Sequence, residues 1–358
     1  MYDMKKLFPI LMFLSGLILV FLFVRLYQPV FIPFFPNPLS ELQEVHENTV
    51  SPANSTFFQE MTIPFLRQKV YQSTLENEQF ISTNAAYDSY LTSYDSDGLR
   101  INALLTRPKG DQPEGGWPAV VFIHGYIPPT LYRTQEKYVQ YVDALAKNGF
   151  VVLKIDLRGH GQSEGQASGA YYSGDYIADT LNAYAALQSS SFVNPQRVGL
   201  WGHSMAGNIV LRSLAVRPTI PAAVIWAGAV YTYEDFQKYK LNDLSYRPPE
   251  LDQDRQKKRT ELAKAHGEFE PTSAFWKEVA PTNYLNEIKS SIAVHHAEDD
   301  QVVSINYTRD LEELLSKTQV PHQVFEYKQG GHNISGASFT LAMQRTLDFF
   351  TETLVGNP

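Results

Sequence analysis

Cysteine is absent from the 358-residue sequence. Its absence excludes disulfide bonds, thiolate metal sites, a cysteine nucleophile and a lipid-modified N-terminal cysteine. A surplus of positive charge is also absent, because 38 acidic residues outnumber 30 lysines and arginines and give a net charge of −8. Phosphate binding requires a basic face, so we expect no nucleic-acid partner. The composition is that of a globular protein, with 44% hydrophobic and 19% charged residues. The chain is long enough for one large α/β domain with appendages or for two ordinary domains.

Charge is missing altogether from residues 7–24, an apolar run of about 18 residues that reaches the length of a membrane-spanning helix. Lys5 and Lys6 precede this run, and Arg25 follows it without the small-residue pattern of a signal-peptide cleavage site. We therefore predict an uncleaved transmembrane anchor over residues 1–27 and keep a cleaved signal as the alternative. The positive-inside rule places the N-terminus in the cytoplasm and the rest of the chain outside the cell membrane.

The remaining chain divides into a stem over residues 28–85 and an α/β domain over residues 86–358. Prolines exclude regular structure at the start of the stem, and the mixed, polar composition of its remainder predicts irregular structure or short helices. Alternating residues around Asp97-Gly98 predict a β-hairpin. Further strands are predicted from apolar runs at residues 119–123, 150–155, 198–201, 222–227, 292–295 and 323–327, and helices from periodic spacing at residues 135–147, 175–189, 208–216, 307–316 and 338–355. This alternation indicates a mostly parallel, doubly wound sheet.

One long segment interrupts the alternation. Residues 231–288 separate two predicted strands and are rich in charged residues. Connections of this length commonly form a lid or a binding insertion. We therefore predict a helical lid, with a solvated helical excursion as the alternative.

A serine occupies the junction between a predicted strand and a predicted helix, in Gly202-His203-Ser204-Met205-Ala206-Gly207. This is the context in which the pattern G-x-S-x-G presents a nucleophile on a tight turn. Ala206 takes the position where the pattern has glycine, and Gly207 follows it. The N–H of Met205 lies at the start of the helix, so we predict that it donates to an oxyanion beside Ser204.

Candidate partners for this serine follow the last two predicted strands. A serine hydroxyl is a weak nucleophile that needs an adjacent base, and the base needs an acid to orient it. His332 lies in a glycine-flanked loop after the last strand, and Glu298, Asp299 and Asp300 follow the preceding one. The order serine, acid, histidine is the order expected on such a sheet.

From about residue 87 to the C-terminus, the sequence resembles the α/β-hydrolase superfamily, and within it prolyl-oligopeptidase-like and dienelactone-hydrolase-like members. The resemblance is carried by the hairpin at residues 93–101, by residues 174–180 leading to 194–199, and by residues 296–304. The last segment is similar to the family pattern H-G-x-x-D-x-x-V-P, which implies Asp300 as the acid. The glycine and proline of that pattern are missing, which leaves Asp299 as the alternative.

The same resemblance implies roles for two loops. The family's oxyanion hole uses the residue after His-Gly, which here is Tyr126; a loop tyrosine packed at the entrance is the alternative. The segment from Arg158 to Gly165 is similar to the family's structural R-G-x-G-x-S loop. We expect His160, His203 and His295 to be structural, and we prefer the triad to a metal site at residues 295–298.

The sequence therefore predicts a membrane-anchored serine hydrolase that acts on a small-molecule ester or a peptide without a cofactor or metal. Ser204, His332 and Asp300 are its predicted triad, with Tyr126 and Met205 at the oxyanion hole. The hairpin favours the peptidase-like branch, whereas residues 202–205 are closer to esterases. A serine-type peptidase and a carboxylesterase both stay open, with a lipase or acylglycerol esterase, or a catalytically silent binding module, as alternatives.

Overall fold

The computed structural model describes residues 57–245, 247 and 249–356. The predicted membrane anchor and the beginning of the stem lie outside these residues. In the part of the chain that is described, none of the helices is both long enough and apolar enough to cross a membrane.

A twisted sheet of nine strands forms the centre of the described residues, in the spatial order β1-β2-β3-β5-β4-β6-β7-β8-β9. Its strands are β1 (Glu76–Thr83), β2 (Tyr87–Ser96), β3 (Leu99–Pro108), β4 (Trp117–Ile123), β5 (Val151–Ile155), β6 (Val193–His203), β7 (Ala222–Trp226), β8 (Ser291–Ala297) and β9 (His322–Tyr327). The pairings among β1, β2, β3 and β5 are antiparallel, and all pairings from β5 to β9 are parallel. The predicted mostly parallel sheet is confirmed.

Helices cover both faces of this sheet. The α-helices of the described residues, including those of the insertion, are α1 (Ile63–Gln68), α2 (Val139–Lys147), α3 (Asp175–Gln188), α4 (Ala206–Val216), α5 (Tyr233–Tyr239), α6 (Pro249–His266), α7 (Ala274–Val279), α8 (Asn306–Leu315) and α9 (Ala337–Phe350). One core layer contains side chains of α1, α3, α4 and α8, and the other contains side chains of α2 and α9. This two-layer arrangement is the predicted doubly wound architecture.

Strand β4 illustrates why its sequence is apolar without interruption. Val121 and Ile123 point into one core layer, whereas Val120 and Phe122 point into the other. Successive side chains of a strand alternate between faces, so a strand covered on both sides needs apolar residues at every position.

The predicted hairpin is formed by β2 and β3, which pair antiparallel. Asp97 and Gly98 connect them with φ values of 58° and 78°, as a type I′ turn requires.

Two predictions of local structure were wrong. The stem includes an edge strand, β1, whose side chains are almost all exposed, so no apolar pattern marks it. Helix α2 begins at Val139 and not at residue 135, because Tyr138 adopts a left-handed φ of 59°. In addition, the buried Lys154 ammonium binds the carbonyls of Thr134 and Lys137, which a longer helix would have used internally.

The predicted insertion is helical and contains α5, α6 and α7, followed by a 3₁₀ segment at Pro281–Glu287. Its own small core joins Leu262 and Trp276 to Met61, which precedes α1. The buried Arg212 guanidinium of α4 in turn donates to the carbonyls of Met61, Ala170 and Ser173. The segment before β1 is thereby fixed against the helix that follows the candidate nucleophile.

Candidate active site

The carboxyl ends of four parallel strands supply the predicted site residues. Strand β4 leads to Tyr126, β6 to Ser204, β8 to Asp300 and β9 to His332. The pairing of Ile123 with Gly202 brings the first two loops side by side. Ligand sites of open α/β sheets lie at this edge, so the topology alone gathers residues that are far apart in sequence.

Ser204 lies at a strained turn between β6 and α4. Its φ is 57°, in the left-handed region that few non-glycine residues adopt. Its N–H donates to the carbonyl of Trp226 at 2.9 Å, and its own carbonyl accepts from the N–H groups of Gly207 at 2.9 Å and Ala229 at 3.1 Å. These backbone bonds hold the turn in a conformation that presents the hydroxyl to the cleft.

Close packing explains the residues that flank the serine. A Cβ atom on Gly202 would lie 2.7 Å from Val210, and one on Gly207 would lie 2.7 Å from the Cα of Gly228. Ala206 is fully buried, and its Cβ sits 3.0 Å from the position of that imagined Gly202 Cβ. The crowded position in this turn is therefore Gly207, which meets backbone, whereas position 206 has room for a methyl group.

Ser204, His332 and Asp300 form a continuous hydrogen-bond chain. The Ser204 hydroxyl donates to Nε2 of His332 at 2.9 Å, and Nδ1 of His332 donates to Oδ2 of Asp300 at 2.8 Å. A hydrogen on Nδ1 that points at Asp300 leaves Nε2 to accept the Ser204 proton. The arrangement is the one that a hydroxyl nucleophile, a base and an orienting acid require.

Asp300 is buried and held as an anion by its neighbours. Oδ1 accepts from the N–H groups of Val302 at 2.8 Å and Val303 at 3.0 Å. Burial alone would raise the pKa of Asp300, but hydrogen bonds from His296 and His332 outweigh it and hold that pKa well below its ordinary value. The carboxylate is therefore ionised at neutral pH.

His296 is a supporting residue that the sequence did not identify. Its Nε2 faces both Oδ2 of Asp300 at 3.2 Å and the carbonyl of Val303 at 3.0 Å, so this nitrogen carries the hydrogen. Its Nδ1 then accepts from the Thr308 hydroxyl at 2.7 Å. This contact fixes the ring, which in turn fixes the acid. The only sequence signal was a histidine four residues before an aspartate.

The neighbouring acids have other partners. Asp299 accepts from the N–H groups of Gly330 at 3.3 Å and Gly331 at 2.8 Å, and so binds the backbone of the loop that carries His332. Glu298 pairs with the exposed Lys328. Asp300 is thus the acid that contacts His332, and Asp299 instead shapes the loop.

Tyr138 links three loops of the site. The N–H of Gly125 donates to its hydroxyl at 2.9 Å, and the hydroxyl donates to Nδ1 of His203 at 2.8 Å. Nε2 of His203 donates to the carbonyl of His332 at 2.9 Å. Burial, aided by repulsion from His332, lowers the pKa of His203 to about 3, so the ring is neutral and both bonds are compatible with one tautomer.

These residues open onto a cleft of about 870 Å³. Ser204, Met205, His332 and Tyr126 all line it, together with side chains of the insertion. Met205 precedes the first helical residue of α4, where backbone N–H groups have no intrahelical partner. Among residues 57–245, 247 and 249–356, no group of three or more histidine, aspartate or glutamate side chains is arranged to hold a metal ion.

The sequence and the fold resemble those of known proteins. A sequence model of the family described as "Serine aminopeptidase, S33" matches residues 118–257. The "Uncharacterized peptidase YtmA" of Bacillus subtilis is 26% identical over 262 residues, which is 72% of this chain and 91% of that protein.

Solved structures share the fold at lower identity. The puromycin-hydrolyzing peptidase of Mycobacterium tuberculosis superimposes with a TM-score of 0.59 and 18% identity over 77% of this chain. Acetyl xylan esterase 1 of Thermoanaerobacterium gives a TM-score of 0.55 and 19% identity over 80% of this chain and 90% of the esterase. The match spans only 41% of the puromycin-hydrolyzing peptidase.

Proposed function

We propose that this chain is a serine hydrolase with the α/β-hydrolase fold, and that it cleaves an ester or amide bond through an acyl-enzyme formed on Ser204. The observation that carries the proposal is the hydrogen-bond chain from Ser204 through His332 to Asp300, opening onto the cleft. In this proposal these three residues are the catalytic triad.

In the acylation step, Oγ of Ser204 attacks the substrate carbonyl carbon while Nε2 of His332 removes the hydroxyl proton. The negative charge moves to the carbonyl oxygen, and Asp300 stabilises the imidazolium that forms. When the tetrahedral intermediate collapses, the bond to the leaving alcohol or amine breaks and His332 donates its proton to that group. The acyl group remains on Ser204.

The deacylation step repeats this chemistry with water. His332 removes a proton from the attacking water, the bond between the acyl carbon and Oγ breaks, and the proton returns to Ser204. We assign the N–H groups of Met205 and Tyr126 to the oxyanion hole in both steps. Support comes from their position on the lining of the cleft and from the helix-start geometry at Met205.

For the substrate class we propose a small-molecule ester or a peptide. The proteins that resemble this chain include named peptidases and named esterases, and both bond types use the same acyl-enzyme chemistry. The insertion lines the cleft, so we propose that it acts as a lid that sets substrate choice.

We also propose that residues 7–24 anchor the enzyme in the cell membrane, with the catalytic domain outside. The proposal rests on the uncharged apolar run and its flanking lysines. Protease treatment of intact cells tests it: we expect the catalytic domain to be digested. Protection of that domain until the membrane is broken would contradict the topology.

The catalytic proposal is tested by fluorophosphonate labelling of the wild type and of Ser204→Ala. We expect labelling of the wild type only, together with hydrolysis of a panel of p-nitrophenyl esters and aminoacyl or prolyl amides. The substitution should lower turnover by at least about a thousandfold, because nucleophile loss removes the acyl-enzyme route. Equal labelling of a folded Ser204→Ala protein would show that Ser204 is not the nucleophile. A folded wild type that is neither labelled nor active on the panel would refute a hydrolytic role and favour a binding module.

A further inference from the structure

One face of helix α6 projects positive charge over the cleft. Arg255 and Arg259 are one turn apart, and both line the cleft beside Ser204 and His332. Residues three and four apart lie on the same side of a helix, so the two guanidinium groups share one surface. The helix contributes a single buried side chain, Leu262, to the small core of the insertion. Packing therefore accounts for Leu262 but not for the two arginines.

Arg255 lies beside Tyr126, whose backbone N–H is assigned to the oxyanion hole. Its guanidinium carbon is 5.0 Å from the ring centroid of Tyr126, and that of Arg247 is 5.8 Å from the same ring. On another side, Nε of Arg255 is 3.4 Å from where a Cβ on Gly169 would be. The side chain is half-buried, held between an aromatic ring and backbone, and stacking on a ring leaves the edge of a guanidinium available for an anion.

The charges that line the cleft do not balance. Besides the triad, the lining carries four cationic side chains, Lys137, Arg247, Arg255 and Arg259, and two carboxylates, Asp243 and Asp252. Asp243 lies 3.8 Å from Arg247 and neutralises part of its charge. Among the described residues, no carboxylate lies within ion-pair distance of Arg255 or Arg259. Two arginines thus face the cleft without an anionic partner from the described part of the chain.

We propose that the cleft binds substrates that carry an anionic group, a carboxylate or a phosphate, and that Arg255 and Arg259 hold this group. The inference rests on the proposed hydrolytic function of Ser204 and adds the charge of its substrate. Planar guanidinium groups bind the paired oxygens of both anions, and a partly desolvated cleft strengthens such contacts. The arginines would then orient the scissile carbonyl toward Ser204.

The first experiment compares two esters of nearly equal length. One is the mono-p-nitrophenyl ester of glutaric acid, which carries a free carboxylate, and the other is the neutral p-nitrophenyl valerate. We expect the wild type to favour the anionic ester in kcat/KM by about tenfold or more, the range that a charged hydrogen bond supplies. We also expect the preference to shrink as ionic strength rises, because salt screens half-exposed charges.

Variants identify the residues responsible. Arg255→Gln and Arg259→Gln should each lower the ratio of kcat/KM for the anionic ester over the neutral one, by about tenfold for Arg255. Arg255→Lys should retain part of the preference for the anionic ester, because lysine keeps the positive charge but cannot form the two parallel hydrogen bonds of a guanidinium group. Lys257→Gln is the matched control: it removes one charge from the same helix at an exposed residue outside the cleft, and should leave the ratio and the activity unchanged.

A binding measurement keeps this inference separate from catalysis. Titration calorimetry on Ser204→Ala, with glutarate and with inorganic phosphate as probes, should show binding that Arg255→Gln weakens, and the stronger probe identifies the anion class. If neither ester is hydrolysed but an anion binds in this way, the hydrolytic proposal fails and the anion site stands. An unchanged ester ratio in Arg255→Gln, or no Arg255-dependent binding of either probe, overturns the inference.

Discussion

Two adjacent aspartates differ in what they contact, and this difference predicts unequal effects of substitution. Asp300 accepts from Nδ1 of His332, whereas Asp299 accepts from two backbone N–H groups of the His332 loop. In Asp300→Asn an amide can face Nδ1 and favour the wrong imidazole tautomer. We expect kcat to fall by about ten-thousandfold in Asp300→Asn, by analogy with triad acids generally, and by far less in Asp299→Asn. Steady-state kinetics on both variants measures this, and a larger loss in Asp299→Asn would contradict the assignment.

The Tyr138 hydroxyl links two loops of the candidate site, and its removal should affect turnover. Its hydroxyl joins the Gly125 N–H to His203, so Tyr138→Phe leaves a buried donor unsatisfied and loosens the loop that carries Tyr126. We expect kcat to fall by about tenfold, the equivalent of one such lost bond. The control is Tyr94→Phe, which also loses a buried hydroxyl bond, but to the carbonyl of Asp179. If both variants lose stability and neither loses kcat, Tyr138 does not position the site.

Some residues of the candidate site could be predicted from the sequence, and others could not. Ser204 and His332 were predictable because a strand-to-helix turn and a glycine-flanked loop mark them. His296 was marked only as the histidine of the family pattern at residues 296–304, and Tyr138 was not marked at all. The bond between Tyr138 and His203 joins residues 65 positions apart, and their proximity depends on the register of β4 and β6, which no local pattern encodes.

At the scale of elements, the turn from β6 into α4 predicts unequal effects for two small substitutions. Gly207→Ala would push a Cβ to within 2.7 Å of the Cα of Gly228, so backbone must move. We expect it to destabilise the protein by roughly 1–3 kcal/mol, as overpacking does, and to reduce turnover by displacing Ser204.

Ala206→Gly is the matched comparison, since it restores the glycine that the family pattern has at this position. It removes one buried methyl group and should cost only about 1 kcal/mol while leaving Ser204 in place. Urea denaturation and ester turnover on both proteins check this pair. A greater loss of turnover in Ala206→Gly would show that position 206, and not 207, is the one under steric pressure.

Strands and helices were predictable from the sequence where burial requires a regular pattern of apolar residues. Strand β5 is apolar at almost every position because it is covered on both faces, and its bounds were found within one residue. Strand β1 pairs on one side only, with β2, and exposes nearly every side chain, so its sequence carries no periodicity. The start of α2 depends on Lys154, a residue of the next strand. Contacts between residues far apart in sequence therefore determine the existence of β1 and the first residue of α2, which local sequence patterns do not predict.

At the scale of the whole molecule, buried histidines couple stability to pH. Burial lowers the pKa of His160 to about 4 and that of His203 and His295 to about 3, and it holds the pKa of His124 well below its ordinary value. In the unfolded chain these groups titrate near pH 6.5, so below that pH the unfolded state binds more protons. Their contribution to stability is therefore present above about pH 6.5 and is lost as the pH falls toward the folded values.

Three buried carboxylates, Asp156, Asp179 and Asp235, oppose this trend because burial raises the pKa of each. Burial raises the pKa of Asp156 and of Asp235 to about 6, so the native state takes up these protons before the unfolded state does. From about pH 7.5 to 5.5, each histidine removes roughly 1 kcal/mol of stability, whereas each carboxylate restores less than about 1 kcal/mol. The four histidines outweigh the three carboxylates, and we expect the free energy of unfolding to fall over this interval.

His295→Gln isolates one histidine from this sum. His295 is fully buried, with Nδ1 bonded to the Tyr327 hydroxyl at 2.9 Å, and the amide of glutamine can keep one polar contact without titrating. We expect the variant to be less stable than the wild type at about pH 7.5, because packing against Trp226 and Phe325 is lost. Between about pH 7.5 and 5.5, the free energy of unfolding should fall by roughly 1 kcal/mol less in the variant than in the wild type, because a single buried histidine contributes about that much. Urea denaturation of both proteins at the two pH values measures this difference of differences, and equal pH dependence would show that His295 is not held neutral by burial.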